Sequence, residues 1–287
     1  MGKANKIKGE RDNVFEMVTL IGVLKDVADN KFYTLAGEKE RFARFGESFV
    51  EFFRMISFSE VSHPLVTNAN PSVGIVLISS ESGFLGDLNS KVIRTALAEK
   101  TKYPESTLIV VGKKAVDQIG SAMKIDKSFT EIEATGLYEI AIQLKKYLID
   151  EVMNNRLGKV IAVYPWPKNI SIQKPRIIKL LPCDELVAKQ LELVDNVEKV
   201  IEESDPVDII GYLADIWLSC RIYEMLYDMT IAAAAAQSQQ LDSSLTKMQK
   251  EKKVVQLKYR KARKGDIDNS MREVFSARLM TTKKKTG

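Results

Sequence analysis

From Val14 onward, apolar residues return at alternating steps of three and four: Val14, Met17, Ile21, Leu24, Ala28, Lys31, Leu35, Glu38, Phe42, Phe45, Phe49, Phe52, Ile56, with only Lys31 and Glu38 polar. A 3.5-residue apolar period predicts a helix that buries one seam against a partner helix, as in a coiled coil. At about 1.5 Å per residue the segment would reach roughly 65 Å, more than a small domain is wide. Gly22, Gly37 and Gly46 each weaken a helix by about 1 kcal/mol relative to Ala, so bending or fraying is expected there. The alternative is an amphipathic helix lying on an ordinary core.

The other end of the chain has the same character. Asp205-Pro206 reads as a helix start, an N-cap carboxylate followed by proline in the first turn. From there to Thr282 only Gly211 and Gly265 interrupt a helical pattern. The alanines at 232–236 combine the highest helix propensity with side chains small enough for close backbone approach. Beyond them Leu241, Leu245, Met248, Lys252, Val255, Tyr259 and Ala262 repeat the four-three spacing, and Ile267, Met271 and Val274 continue an apolar face past Gly265. Each end carries a seam that it cannot bury alone, so the two are expected to pair antiparallel, with a domain between them that reverses the chain.

That middle segment reads differently. Residues 73–79 and 107–112 are continuous apolar runs, as strands buried on both faces should be. Helical patterns follow at about 87–100, 114–124 and 135–155, and a third strand at 159–164. Residues 170–181, with Pro175, read as an extended edge segment. Strand alternating with helix predicts a mostly parallel sheet with crossovers. The fold class is therefore α/β: a Rossmann-like domain at 64–205, flanked by coiled-coil helices at 1–63 and 206–287.

Composition supports this division. All eight prolines lie between Pro64 and Pro206, and proline in a helix interior costs about 3 kcal/mol. The charged fraction of 28% and hydrophobic fraction of 45% are ordinary for a globular chain. The formal net charge of +5 hides a concentration: residues 247–264 hold nine basic residues and one acid, Glu251. Three readings stand for that patch. It is a solvated helix face, a nucleic-acid surface drawn by phosphate charge, or a docking stripe for a partner with acidic loops. Tyr259 is the one aromatic there, which provides poorly for base stacking.

Candidate chemistry is sparse. Cys183 and Cys220 form no metal or disulfide spacing, and His63 is the single histidine, expected in a solvated loop beside Pro64 rather than as a base. Gly83 to Gly86 lacks both the three-glycine dinucleotide pattern and the Gly-Lys-Ser/Thr ending of a phosphate loop, and so reads as a tight turn between strand and helix. Gly112-Lys-Lys114 likewise reads as a strand end. No cofactor, metal site or acid/base pair is expected. No apolar stretch approaches the roughly 20 residues of a membrane span, and no signal segment opens the sequence, so a cytoplasmic location is expected.

These residues resemble the γ subunit of F-type ATP synthases, the central rotor shaft. Ser79-Ser-Glu-Ser-Gly-Phe-Leu-Gly-Asp-Leu-Asn89 is similar to the family's strand-turn-helix sequence, and Leu-Leu-Pro182 to its Leu-Leu-Pro-Leu. Asp205-Pro-Val-Asp-Ile-Ile210 with Ile222-Tyr223 resembles the entry to the last helix. Tyr259-Arg-Lys-Ala-Arg263 with Ile267 is similar to Tyr-Asn-(Lys/Arg)-Ala-Arg and the isoleucine after it, and Val27-Ala28 with Lys31 echoes the first helix. The chain departs from the family pattern at Lys264, where Gln is usual, at Ala233 and Gln237, where Glu and Arg are common, at Ala115, where Gly is usual, and in the tail Lys283-Lys-Lys285.

The resemblance implies a rotor without catalysis of its own, standing inside a hexamer of α and β subunits and meeting an ε subunit and, in a complete synthase, the membrane c-ring. It implies location on the cytoplasmic face of the membrane, and no nucleic-acid or small-molecule partner. Contact with the β subunit would fall to Arg260, Arg263, Lys264, Lys252 and Lys253. The seam would fall to Ile21, Leu24, Ala28, Leu241, Leu245, Met248 and Val255. A specialised F1-like ATPase not engaged in synthesis, an enzyme built on the α/β domain, and a free-standing coiled-coil adaptor are the alternatives.

Overall fold

The computed structural model describes residues 3–54, 63–183 and 205–283. The chain forms two compact units, one of residues 28–237 and one of residues 1–27 with 238–287.

The larger unit is built on a five-stranded sheet. Its strands are β1 (Val73–Ile78), β2 (Thr107–Val111), β3 (Lys127–Phe129), β4 (Lys159–Asn169) and β5 (Ile172–Leu181), in the order β3-β2-β1-β4-β5. The first four run parallel and β5 returns antiparallel to β4. Central β1 places Ile75 between Leu108 and Ile161 and is buried at every position, which is why it reads as an unbroken apolar run. The helices are α1 (Lys3–Arg54), α2 (Leu88–Lys102), α3 (Lys113–Ile119), α4 (Ile132–Thr135), α5 (Leu137–Met153) and α6 (Pro206–Lys283).

Alternate strand residues face opposite layers. Ile75, Leu77, Leu108 and Val110 pack with Val92, Ile93 and Ala96 of α2 and with Ala115 and Ile119 of α3. Val76, Ile78, Ile109 and Val111 pack with Leu144 and Leu148 of α5 and with Leu218, Ile222 and Leu226 of α6. The expected mostly parallel sheet with an edge segment is what forms, and Pro175 sits opposite Pro165 on edge strand β5, where a missing N–H is tolerated. Strand β3 carries too few apolar residues to have been read from pattern.

Two polar fastenings hold the strand ends. Ser79 Oγ donates to the Val111 and Gly112 carbonyls, both at 3.2 Å, and accepts from the Ala115 N–H at 3.0 Å. Gly112 has φ +96°, and a Cβ there would stand 2.0 Å from the Ser79 carbonyl oxygen, so only glycine fits. Ser80 and Asn89 close the next turn, with Ser80 N–H donating to Asn89 Oδ1 at 3.2 Å.

In the smaller unit α1 and α6 run antiparallel. The Ala4 N–H donates to Asp266 at 3.1 Å, Arg11 lies over Tyr259 at 4.4 Å, Lys252 lies over Phe15 at 4.1 Å, and Lys25 faces Asp242 at 3.8 Å. In the larger unit the same sense holds: Phe32 packs with Tyr227, Ile231, Ala234 and Ala235. The expected N-cap is present, with the Val207 N–H donating to Asp205 Oδ1 at 2.9 Å. Both helices continue through their glycines. At Gly22, Gly37 and Gly265 a Cβ would meet nothing within 4 Å, so no crossing chain interrupts them there.

The seam of α1 differs from the expected one. Val14, Ala28 and Phe32 are buried and Val18, Ile21 and Leu35 half-buried, whereas Met17, Leu24, Lys31 and Glu38 are exposed. The steps run four-three from Val14, through Val18, Lys25 and Phe32, not three-four through Met17, Leu24 and Lys31. Leu24, taken as a seam residue, points outward at 44% exposure. The reason is that α1 carries a second apolar stripe, Met17, Leu20, Leu24 and Val27, beside the first. On α6 the expected register is where the burial lies: Leu241 and Val255 are buried, and Leu245, Met248, Lys252, Tyr259 and Ala262 are half-buried. The side chains of Phe42, Phe45, Phe49 and Phe52, and all of Ile56, lie outside the described residues.

Candidate functional site: the outer faces of the helical arms

In the smaller unit α6 presents its positive stretch to solvent. Lys253, Arg260, Arg263 and Lys264 are exposed, as are Lys247, Lys250, Lys258 and Lys261. Steps of 100° distribute them over every outward position of the helix. Lys252 is different: it occupies the seam, half-buried, with its ammonium over the Phe15 ring, so its charge is engaged within the chain. Of the five residues expected to meet a partner, four face outward and Lys252 faces α1.

Apolar surface accompanies this charge. On α1, Met17, Leu20, Val23, Leu24 and Val27 are 44–60% exposed. On α6 beyond Gly265, Ile267, Met271, Val274 and Phe275 are 48–66% exposed, and with Arg263, Asp266 and Ser270 they line a shallow groove.

The features of the larger unit that resemble reactive sites have structural occupations. In the 83–86 turn Phe84 and Gly86 take positive φ of 63° and 58°, and Leu85 and Leu88 are thereby buried on Ala232 and Ala236 of α6. The small alanine side chains thus admit the turn on one side and Phe32 on another. His63, expected in a solvated loop, is buried at 8% exposure. Its Nδ1 accepts from the Leu65 N–H at 3.2 Å, and Gly211 leaves room for the ring, since a Cβ there would stand 3.2 Å from Nε2. Burial pushes the imidazole below its usual pKa of 6.5. Cys183 is buried and Cys220 half-buried, and burial raises the Cys220 thiol.

One polar group between α1 and α6 was not singled out in the sequence. Asp228, whose side chain is 1% exposed, accepts from Lys39 Nζ at 2.5 Å, and Lys39 Nζ also lies 4.0 Å from Glu224. The adjacent Tyr227 hydroxyl donates to Glu38. Burial lifts the Asp228 carboxyl above the ordinary carboxylate range, against the opposing pull of Lys39, and lifts the nearby Tyr164 phenol to about 12. A signal did exist, for Asp228 is the one charged residue between 225 and 241.

A profile of the family described as ATP synthase matches residues 3–278. The chain is 28% identical over 223 residues to the ATP synthase gamma chain of Glaesserella parasuis, covering 76% of this chain and 77% of the other. It is 23% identical over 223 residues to that of Lachnoclostridium phytofermentans, covering 75% and 77%. In fold it is similar to a rotor chain of the Euglena gracilis mitochondrial ATP synthase, with TM-score 0.60 at 15% identity over 92% of this chain and 98% of that one. A second structure of that enzyme, comprising OSCP, F1 and c-ring, gives TM-score 0.62 at 15% identity over 99% and 96%. Two long helices flanking a Rossmann-like sheet, and a family profile running almost from end to end, agree: the chain belongs to the ATP synthase family, among the gamma chains of the central stalk.

Proposed function

We propose that this chain transmits torque between a catalytic hexamer of α and β subunits and the rest of the rotor, and performs no catalysis itself. The observation that carries the reading is the outer surface of the paired arms. A ring of exposed Lys and Arg on α6 stands with exposed apolar stripes on α1 and α6, a surface that its own chain does not cover among the described residues. Arg260, Arg263, Lys264 and Lys253 would meet acidic loops of the ring, and Ile267, Met271, Val274 and Phe275 its apolar lining. Positive charge spread over the outward positions of α6 suits a rotating shaft, because each ring subunit meets that same surface in turn. Differential contact of an asymmetric shaft with the β subunits would bias them toward different conformations. The sheet domain would meet an ε subunit and a membrane c-ring. Since no helix among the described residues is long and apolar enough to cross a membrane, the chain would reach the membrane face peripherally.

The test is co-purification of the tagged chain from its native cell, with mass identification of what it retains. ATPase α and β subunits in equal amount, with ATP hydrolysis in that fraction and none by the isolated chain, are expected. ATP turnover by the isolated chain, abolished on changing Gly83 and Gly86, would replace the rotor reading with an enzyme.

A further inference from the structure

We propose that Lys39–Asp228 and Glu38–Tyr227 form a register lock, the polar key that fixes how far α1 is advanced along α6. An apolar seam with a seven-residue repeat specifies which faces meet but discriminates weakly among alignments one heptad apart. In this chain the seam of the larger unit, Phe32 and Leu35 against Ile231, Ala234 and Ala235, is apolar on both sides and has no polar group of its own to oppose such a slip. The polar pairs do not. Asp228 is fully buried in an apolar stretch and takes its charge partner from the other helix.

The alternatives are disfavoured by identity. If α1 slipped by seven residues one way, Lys39 would face the position of Arg221, like charge on like, and Asp228 would face Phe32. A slip the other way would bring Lys39 onto Ala235 and Asp228 opposite Gly46. In either case Asp228 loses its hydrogen-bonded cation and keeps only the weaker pull of Arg176, and a buried carboxylate without its paired cation is strongly unfavourable. Its Oδ2 already has no hydrogen-bond partner, so Lys39 is the contact that matters. Glu224, one turn before Asp228 and 4.0 Å from the same ammonium, widens the attraction toward one alignment. The second pair, Tyr227 to Glu38, is adjacent on both helices, so the two bonds together set rotation as well as advance. Single buried polar residues fix register in coiled coils at some loss of stability. Here that device sits beside the cluster where Ile170 of the β4–β5 connection and Leu137 of α5 also pack on Phe32 and Tyr227. A shaft carrying torque needs its strands held against sliding.

The experiment uses the full chain alone, so its failure leaves the family reading untouched. Spin labels go on cysteines replacing the exposed Tyr33 and Tyr212, in a Cys220→Ser background, Cys183 being buried. Pulsed electron resonance then reads the distance between the labels. The chain with Lys39 and Asp228 intact is expected to give one distance. Lys39→Met with Asp228→Leu is expected to add a second population displaced by about 10 Å, one heptad at ~1.5 Å per residue, while melting no lower than the parent. Should that variant fail to fold, Lys39→Gln is read the same way. The same reading is made with Tyr227→Phe added, which removes the bond to Glu38; a single unshifted distance in that folded triple variant would overturn the proposal, because packing alone would then set the register.

Discussion

Two aspartate substitutions on α1 separate the observed seam from the one with the opposite step order. Val14 is 7% exposed and Leu24 is 44% exposed, ten residues apart in the same helix. Valine and aspartate have similar intrinsic helix preferences whereas leucine's is higher, so that contribution is close to zero at Val14 and costs up to about 0.5 kcal/mol at Leu24. Val14→Asp forfeits the burial of a valine side chain, about 1.5–3 kcal/mol, and sets a carboxylate in the seam at a further few kcal/mol unless it protonates. A loss of about 3–5 kcal/mol is expected for pairing of the arms. Leu24→Asp removes an outward side chain and is expected to fall within about 0.5 kcal/mol of the parent. The assay is thermal melting of the full chain followed by helix circular dichroism, with amide hydrogen exchange over residues 4–27 to assign the change to α1. Val14→Asp should lower the melting temperature and remove protection there, and Leu24→Asp should leave both near the parent. Equal loss in the two variants, or a greater loss at Leu24, would return the seam to the Met17 and Leu24 side and refute the reasoning.

Other outcomes are equally definite. Reversing Arg260, Arg263 and Lys264 to Glu together should impair coupled ATPase turnover of the assembled complex, more at low salt than at high, while single reversals change little because exposed pairs contribute about 0–1 kcal/mol each; unchanged turnover at low ionic strength would make the collar a solvated face. Gly112→Ala should destabilise the sheet domain by several kcal/mol, since φ +96° and the Ser79 carbonyl both exclude a Cβ; urea unfolding checks it. His63 is buried with its folded pKa lowered from 6.5, so the unfolded chain binds the proton more readily. Stability should therefore be whole above pH about 6.5 and decline below it, by at most ~1.4 kcal/mol per pH unit while the ring stays neutral; melting as a function of pH, with His63→Gln flattening the decline, checks the sign. Asp205→Ala should cost about 1 kcal/mol through loss of the N-cap to Val207, read in the same urea titration.

The parts of the fold that were legible are those whose residues had one physical use. Strands β1 and β2 are buried on both faces, so their uninterrupted apolar runs admitted no other reading. The seam of α6 was readable because its outward positions are Lys-rich, and apolar and polar faces separate cleanly. On α1 they do not: Met17, Leu20, Leu24 and Val27 form an outward stripe as apolar as the seam. Arg11, with its guanidinium over Tyr259, and Lys25, facing Asp242, occupy half-buried inward positions, so hydrophobicity alone chose the wrong step order. His63 looked solvated because its neighbours are loop-like, whereas its ring packs beside Gly211, far along the chain, and is buried. Charge density along the sequence singled out Arg260 and Arg263, which are exposed, and the Lys39–Asp228 pair was missed because the partners are 189 residues apart.

The central claim is rotation, and it can be watched. The complex is held to a surface through its ring subunits, and a probe is fixed to the sheet domain of this chain at a cysteine replacing the exposed Tyr138. With ATP present the probe should turn in one direction in discrete steps and stop when ATP is withdrawn. Steady ATP hydrolysis by the same complexes beneath a stationary probe would contradict the account.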